Sequence, residues 1–314
     1  MVSRNLVVIR CGEHSLHSEW LSASRHWDLA VSYFGADNER EFPEAVQVHR
    51  YKGGKWDGLH AYFQDHPDTL NHYDFFWFPD DDIRADSGQI DTLFELTANH
   101  GFELAQPSLS ADSYLSHLIT LNNPLFEYRL VNFVELMVPV FSQSLLKKVL
   151  PLFEHARSGF GLDFLWHRFT SEPKHVVAIV DLVEVVHTRP VGGALHRMIA
   201  LEGMETPQQE RDRILSVCGD LTKTQMTFGG KLRCGLKVHG RIFASAIAAV
   251  GWALDPTNRR QVDTVLEARY FLHWIRREFY SSLFCPAPLG RIDPAEHLEN
   301  MLADRLPEMQ AARR

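Results

Sequence analysis

Up to about residue 193, short apolar runs alternate with amphipathic stretches, and this alternation limits the possible folds more than any other feature. Leu6–Ile9, Leu29–Tyr33, Val46–Tyr51, Asp74–Phe78, Glu103–Gln106, Phe133–Phe141, Val176–Asp181 and Val183–His187 read as strands. Between them lie amphipathic Trp20–Trp27, Trp56–Gln64, Gln89–Asn99 and Ser142–Glu154, the third stopped by Gly101. Strands alternating with helices predict an α/β domain, a mostly parallel mixed sheet flanked by helices. Ligands in such sheets bind beyond the carboxyl ends of the strands, so the residues that follow each strand are the ones to read for function.

The pattern changes after Gly192-Gly193. Thr206–Leu221, Lys237–Leu254, Pro256–Phe279 and Pro294–Ala312 read as helices, with no evident strand. The chain therefore divides into residues 1–193 and a helical C-terminal region, 194–314. Trp252, Tyr270, Phe271, Trp274, Phe279 and Tyr280 read as the core of that region. The alternative is a greasy surface for a membrane or a partner, including a second subunit.

With 32 basic against 40 acidic residues the net charge is −8, which argues against a general nucleic-acid binder. A local pocket or a bound metal can still attract an anion. The cysteines, Cys11, Cys218, Cys234 and Cys285, form no CxxC pair, so neither a disulfide framework nor a zinc ribbon is expected. Leu6–Ile9 is too short for a signal-peptide core. Ile242–Leu254 falls short of the roughly 20 residues of a membrane span. The expected location is the cytoplasm, with or without membrane association.

The strongest chemical signal is Phe75-Phe76-Trp77-Phe78-Pro79-Asp80-Asp81-Asp82, an aromatic strand ending in three carboxylates. Side chains two apart share a face of an extended chain, so Asp80 and Asp82 can converge on one cation. Oxygen ligands suit Mg2+ or Mn2+, which can hold a diphosphate. The bland reading is a solvated acidic turn. Tyr51-Lys52-Gly53-Gly54-Lys55-Trp56-Asp57-Gly58 offers glycines for close backbone approach and lysines for phosphate charge, or else a plain turn. In Gly159-Phe160-Gly161-Leu162-Asp163, Asp163 is a functional carboxylate or a helix cap. His187, leaving a strand with Arg189 two residues on, is a structural histidine or a metal ligand. Cys11, His14 and His17 have a C-x2-H-x2-H spacing, but read better as pocket lining than as a zinc site.

In this order the motifs resemble the domain-of-unknown-function family 707, related to nucleotide-sugar glycosyltransferases of the GT-A, Rossmann-like fold. The resemblance rests on Leu6-Val7-Val8-Ile9-Arg10 with Ser15-Leu16-His17, Trp27-Asp28-Leu29 with Ser32-Tyr33-Phe34-Gly35, and Lys52-Gly53-Gly54-Lys55-Trp56. It continues through Phe78-Pro79-Asp80-Asp81-Asp82-Ile83, Ala105-Gln106-Pro107-Ser108-Leu109-Ser110, the stretch Val134 to Ser142, Gly159–Asp163 and His187. It covers roughly residues 5 to 193. The resemblance implies that Asp80 and Asp82 contact the metal as a DxD motif, and that His187 completes its shell. It implies that Asp81 faces the ribose or neighbouring residues, that Glu135 lines the sugar subsite, and that Asp163 deprotonates the acceptor in an inverting reaction. Arg10, Lys55, Trp56, Asp57, Asp81 and Arg189 are the candidates to bind the nucleotide.

The expected activity is a metal-dependent transfer of sugar from a nucleotide-sugar donor to a glycan, a lipid-linked molecule or another hydroxyl acceptor. A non-catalytic sugar- or nucleotide-binding module is one alternative. The other is a metal-dependent phosphohydrolase or phosphotransferase, which should carry a nucleophilic Asp after the first strand. No such Asp follows Ile9.

Overall fold

A computed structural model describes residues 4–190, 205–217, 224–255, 265–285, 287 and 289–303. The expected boundary at 193/194, Cys218 and the ends of three expected helices (218–221, 256–264 and 304–312) lie outside these residues, as do the side chains of Tyr270 and Phe271.

The strands are β1 (Asn5–Cys11), β2 (Asp28–Tyr33), β3 (Gln47–Arg50), β4 (Phe75–Trp77), β5 (Ile83–Arg84), β6 (Leu104–Leu109), β7 (Phe126–Val131), β8 (Val140–Ser142), β9 (Val177–His187), β10 (Thr227–Leu232) and β11 (Lys237–His239). Their order across one mixed sheet is β11-β10-β7-β9-β6-β8-β4-β1-β2-β3, with β5 paired to β9 off this path. The parallel character read from the sequence belongs to the β4-β1-β2-β3 half and to β6–β9. The other pairings are antiparallel. From β1 the chain goes first to β2 on one side and later to β4 on the other, so a topological switch point lies between β1 and β4.

Helices α1 (Lys55–Asp65), α2 (Thr69–His72), α3 (Ser87–Asn99) and α4 (Gln143–Phe153) belong to the N-terminal part. Leu6 and Val8 enter a core on one face of the sheet with Trp56, Phe78 and Trp166, while Val7 and Ile9 enter a second core on the other with Trp20 and Trp77. A strand buried on both faces has no polar alternation, which is why Leu6–Ile9 is continuously apolar. Asp86 and Gln89 close α3 at its start as a capping box.

Several elements differ from the sequence reading. Trp20–Trp27 is not an α-helix; a short 3-10 turn, His17–Trp20, ends at its first residue. Residues 133–139 are a loop, because their backbone turns to meet the chain after β4 before β8 begins. Val176–Asp181 and Val183–His187 form one strand, whose irregularity is a register shift opposite Pro107 and Ser108.

The C-terminal region contains α5 (Pro207–Ser216), α6 (Arg241–Leu254), α7 (Val265–Phe284) and α8 (Pro294–Ala303). It also supplies β10 and β11, against the expectation of helices alone, and β10 pairs with β7. Gly229 and Gly230 inside β10 dilute its strand pattern. Trp252 and Ile275 pack on Leu118, Leu121 and Phe126 in a third core, with Trp274 partly buried beside them. Among the described residues, no helix is long and apolar enough to cross a membrane.

Candidate active site

The three carboxylates leave β4 at the switch point. Phe78 and Asp80 still donate their backbone N–H groups to the carbonyls of Pro139 and Met137, so the chain stays extended as far as Asp80; Asp81 and Asp82 then form a turn, with the Ile83 N–H donating back to the Asp80 carbonyl (3.4 Å). Asp81 turns to one side, where its carboxylate accepts from the Gly12 N–H (2.9 Å) and from Arg189 (3.1 Å). Asp80 and Asp82 turn to the other. Pairing of β5 with the end of β9 sets Ile83 opposite His187, and Thr188 donates to the Asp82 carbonyl (3.1 Å). A residue more than a hundred positions away is thereby placed beside the acidic triplet. Ligand atoms of Asp80, Asp82 and His187 all lie within 4.8 Å of one another, a possible metal site.

The donor set fits a divalent cation. His187 hydrogen-bonds the Tyr114 carbonyl through Nδ1 (2.9 Å) and turns Nε2 toward Asp82 Oδ2 (3.3 Å). That arrangement directs the second ring nitrogen into the site, as an outer-shell carbonyl does for a metal-bound histidine. Burial opposes a charge on His187, but the bonds to Asp82 and Tyr114 outweigh it and raise its pKa to about 9. Burial raises the pKa of Asp80 and of Asp81, so both carboxylates gain from a nearby positive charge.

Lys55, the first residue of α1, supplies one such charge. Its ammonium donates to Asp80 Oδ1 (2.6 Å) and to the Leu136 carbonyl (2.7 Å), tying the 133–139 loop to the triplet; burial lowers its pKa against the pull of Asp80. Arg10, at the end of β1, is buried and donates to the carbonyls of Tyr51 (3.1 Å), Gly53 (2.9 Å) and Gly54 (3.1 Å). It holds the glycine loop in place, and burial lowers its pKa to about 10. Asp57 faces Arg10 within the first turn of α1, and burial raises its pKa. Trp56 does not reach the cluster; its indole packs edge-on against Phe153 and Trp166 in the core.

Two further carboxyls complete the setting. Glu135 is buried in the 133–139 loop, with Oε2 free of hydrogen-bond partners and its backbone N–H donating to Gln106. Burial, with Asp163, Asp80 and His187 in electrostatic range, puts its pKa at about 8. Asp163 lies within the 3-10 turn Leu162–Phe164 rather than at its N-cap, which is Gly161. Its Oδ1 accepts from Gly161 (3.2 Å) and Phe164 (3.0 Å), and burial sets its pKa at about 7 despite those bonds. The structure thus gathers Asp80, Asp82, His187 and Lys55, with Glu135 in electrostatic range both of this cluster and of Asp163. It leaves Trp56 in the core, and sets Arg10 and Asp57 at the glycine loop.

The sequence reading missed Glu210, in the first turn of α5. Its carboxylate accepts from the N–H groups of Ser158 (3.0 Å) and Gly159 (2.8 Å), clamping the segment that carries Asp163. Gly159 (φ +78) and Gly161 (φ +104) are both left-handed, and a Cβ at Gly159 would collide with the Trp56 indole. The pair of glycines was the available signal; nothing local pointed to a partner fifty residues on. Cys11, His14 and His17 do not converge: Cys11 is buried in β1, and His17 bonds Ser15 and Glu44.

Residues 18–129 match the family described as protein of unknown function (DUF707). That match bears out the resemblance read from the sequence. No curated protein matches the chain. Among solved structures, it is similar to the mannosyltransferase PcManGT from Pyrobaculum calidifontis in complex with GDP-Man and Mn2+, at 11% identity and a TM-score of 0.46, over 97% of this chain and 81% of that one. It is also similar to S. aureus TarS 1-349 in complex with UDP-GlcNAc, at 12% identity and a TM-score of 0.43, covering 89% and 81% of the two chains. A mycobacterial protein shares 15% identity at a TM-score of 0.43, over 76% and 84%.

Proposed function

We propose that this chain is a metal-dependent glycosyltransferase that moves a sugar from a nucleotide-sugar donor to a hydroxyl acceptor, acting in the cytoplasm. The observation that carries the reading is the convergence of Asp80, Asp82 and His187 at the sheet's switch point, with Glu135 in electrostatic range of them and of Asp163. Asp80, Asp82 and His187 would hold Mn2+ or Mg2+, the mixed carboxylate and imidazole set suiting either ion. A cation there would stabilise the charge that builds on a departing diphosphate.

The chain's own residues divide the remaining work. Lys55 adds a fixed positive charge next to Asp80, and Arg189 holds Asp81 away from the cluster, toward the end of β1. Arg10, by fixing the carbonyls of Gly53 and Gly54, shapes the loop before α1 against which a nucleotide would lie. Asp163 takes the proton of the acceptor hydroxyl, a role suited to a carboxyl with a pKa of about 7. Glu135, protonated below about pH 8, offers a hydrogen-bond donor to the sugar from an oxygen that no protein group engages. No aspartate at the end of β1 is available as a phosphohydrolase nucleophile; Arg10, Cys11 and Gly12 stand there.

The test is a thermal-shift and calorimetric screen of nucleotide sugars with Mn2+ or with EDTA, on the wild type and on Asp82→Asn. The expected outcome is one preferred donor whose affinity falls at least about tenfold on chelation and in the variant. Affinity unchanged by both would overturn the reading.

A further inference from the structure

The α6–α7 layer has an outer face that none of this chemistry uses. Phe243 is 71% exposed and Phe284 76%, and Leu236, in the turn before β11, is 63% exposed. Val250 and Leu254, seven and eleven residues after Phe243, continue the same side of α6 and are exposed too. These side chains are held together. The Arg241 guanidinium, at the start of α6, donates to the carbonyls of Leu283 (3.2 Å) and Cys285 (2.8 Å) at the end of α7. Tyr280 stacks on Phe284 with ring centroids 6.0 Å apart.

Basic groups border this face. Lys237, Arg276 and Arg277 are exposed, and Arg276 lies over the Tyr280 ring at 5.3 Å. Residues 227–255 hold four basic residues, Lys231, Arg233, Lys237 and Arg241, against one acidic residue, Asp255, in a chain of net charge −8. Lys231 is paired with Glu127 (2.7 Å), so the local excess rests on Arg233, Lys237 and Arg241, and its sign is still the reverse of the global one.

We propose that the β10–β11 hairpin and the outer face of α6–α7 dock on an anionic lipid surface. Protruding aromatic and aliphatic side chains enter the boundary between headgroups and acyl chains, while the bordering cations meet the headgroup charge. Charge chooses lipid over a second copy of the chain. A twofold contact would bring two like-charged borders, each carrying Lys237, Arg276 and Arg277, into one interface. The overall negative charge repels the rest of the molecule from such a surface, so this face alone would turn toward it.

The experiment is co-sedimentation of the full chain with phosphatidylcholine vesicles, with and without about a third phosphatidylserine. The protein should sediment with the anionic vesicles, should not with the neutral ones, and should be released by salt. Phe243→Asp with Phe284→Asp should lower the bound fraction at least about tenfold, and Lys237→Glu with Arg276→Glu should remove the preference for phosphatidylserine. All four side chains are exposed, so unchanged thermal unfolding of the variants confirms that the fold is intact. Failure to sediment with either vesicle, equal binding by wild type and variants, or a lipid-indifferent dimer dissociated by Phe243→Asp would each overturn the proposal.

Discussion

At the scale of single residues, burial raises the carboxyl pKa of Glu135 to about 8 and that of Asp163 to about 7. Asp163 accepts two backbone N–H bonds, which a carboxamide oxygen can also accept, so Asp163→Asn should fold. As the general base, its loss should slow sugar transfer by about 10²–10⁴ while leaving donor and metal binding intact. Wild-type turnover should rise with pH through about 7 as this carboxyl ionises. Its folded pKa is raised, so its contribution to stability is full below the ordinary carboxyl pKa and is lost as pH rises through about 7. The melting temperature of the wild type should therefore fall between pH 5 and pH 8 more steeply than that of Asp163→Asn. Near-normal turnover in the variant would leave Asp163 a structural carboxylate and favour a retaining mechanism.

Among elements, the most consequential contact joins α5 to the segment before Asp163. Each Glu210 oxygen takes one N–H, from Ser158 and from Gly159. Glu210→Ala would leave both donors in a buried setting, at a cost of about 1–3 kcal/mol for each unsatisfied group. Glu210→Gln keeps one acceptor but sets an NH2 against an N–H, so it should fall between wild type and alanine. Urea unfolding measures the loss of stability, and amide exchange at residues 158–161 should quicken in the same order. Because the clamp acts on the loop and not on the metal cluster, donor affinity should change little while turnover drops.

Across the whole molecule, the C-terminal region is joined to the sheet rather than appended to it. β10 pairs with β7, and Trp252 covers Leu118, Leu121 and Phe126. Beneath them Arg129 and Asp181 form a fully buried ion pair (2.8 Å) whose groups also bond Ile119, Leu121 and Asn123, and the Trp252 ring stacks under the guanidinium at 5.1 Å. A chain ending at residue 193 would open the β7 edge, expose that apolar surface and admit water to the pair. Such a fragment should aggregate or remain partly unfolded by size-exclusion chromatography and circular dichroism. Recovery of a folded, metal-binding monomer would instead make residues 1–193 an independent unit.

Much of this was legible in the linear chain because it depends on local period and local chemistry. The apolar runs of β1, β2, β4 and the first half of β9 announce strands buried on both faces, and the acidic triplet itself announces a carboxylate cluster after β4, although it is a turn at Asp81–Asp82, not an extended chain, that separates Asp81 from Asp80 and Asp82. β10 was hidden because its two glycines remove the side chains that a strand pattern consists of. The loop at 133–139 was hidden because apolar residues that line a buried loop look the same as those of a strand. The long-range meetings came from the folded chain alone: His187 beside Asp82 through the β5–β9 pairing, Lys55 on Asp80, and Glu210 under Ser158 and Gly159. The sequence determined which groups the chain could offer, since side-chain chemistry and periodicity travel with each residue. Their distances and burial were set by the pairing of strands far apart in the chain, and it is burial that moves Glu135 and Asp163 from ordinary surface carboxylates toward neutral pH.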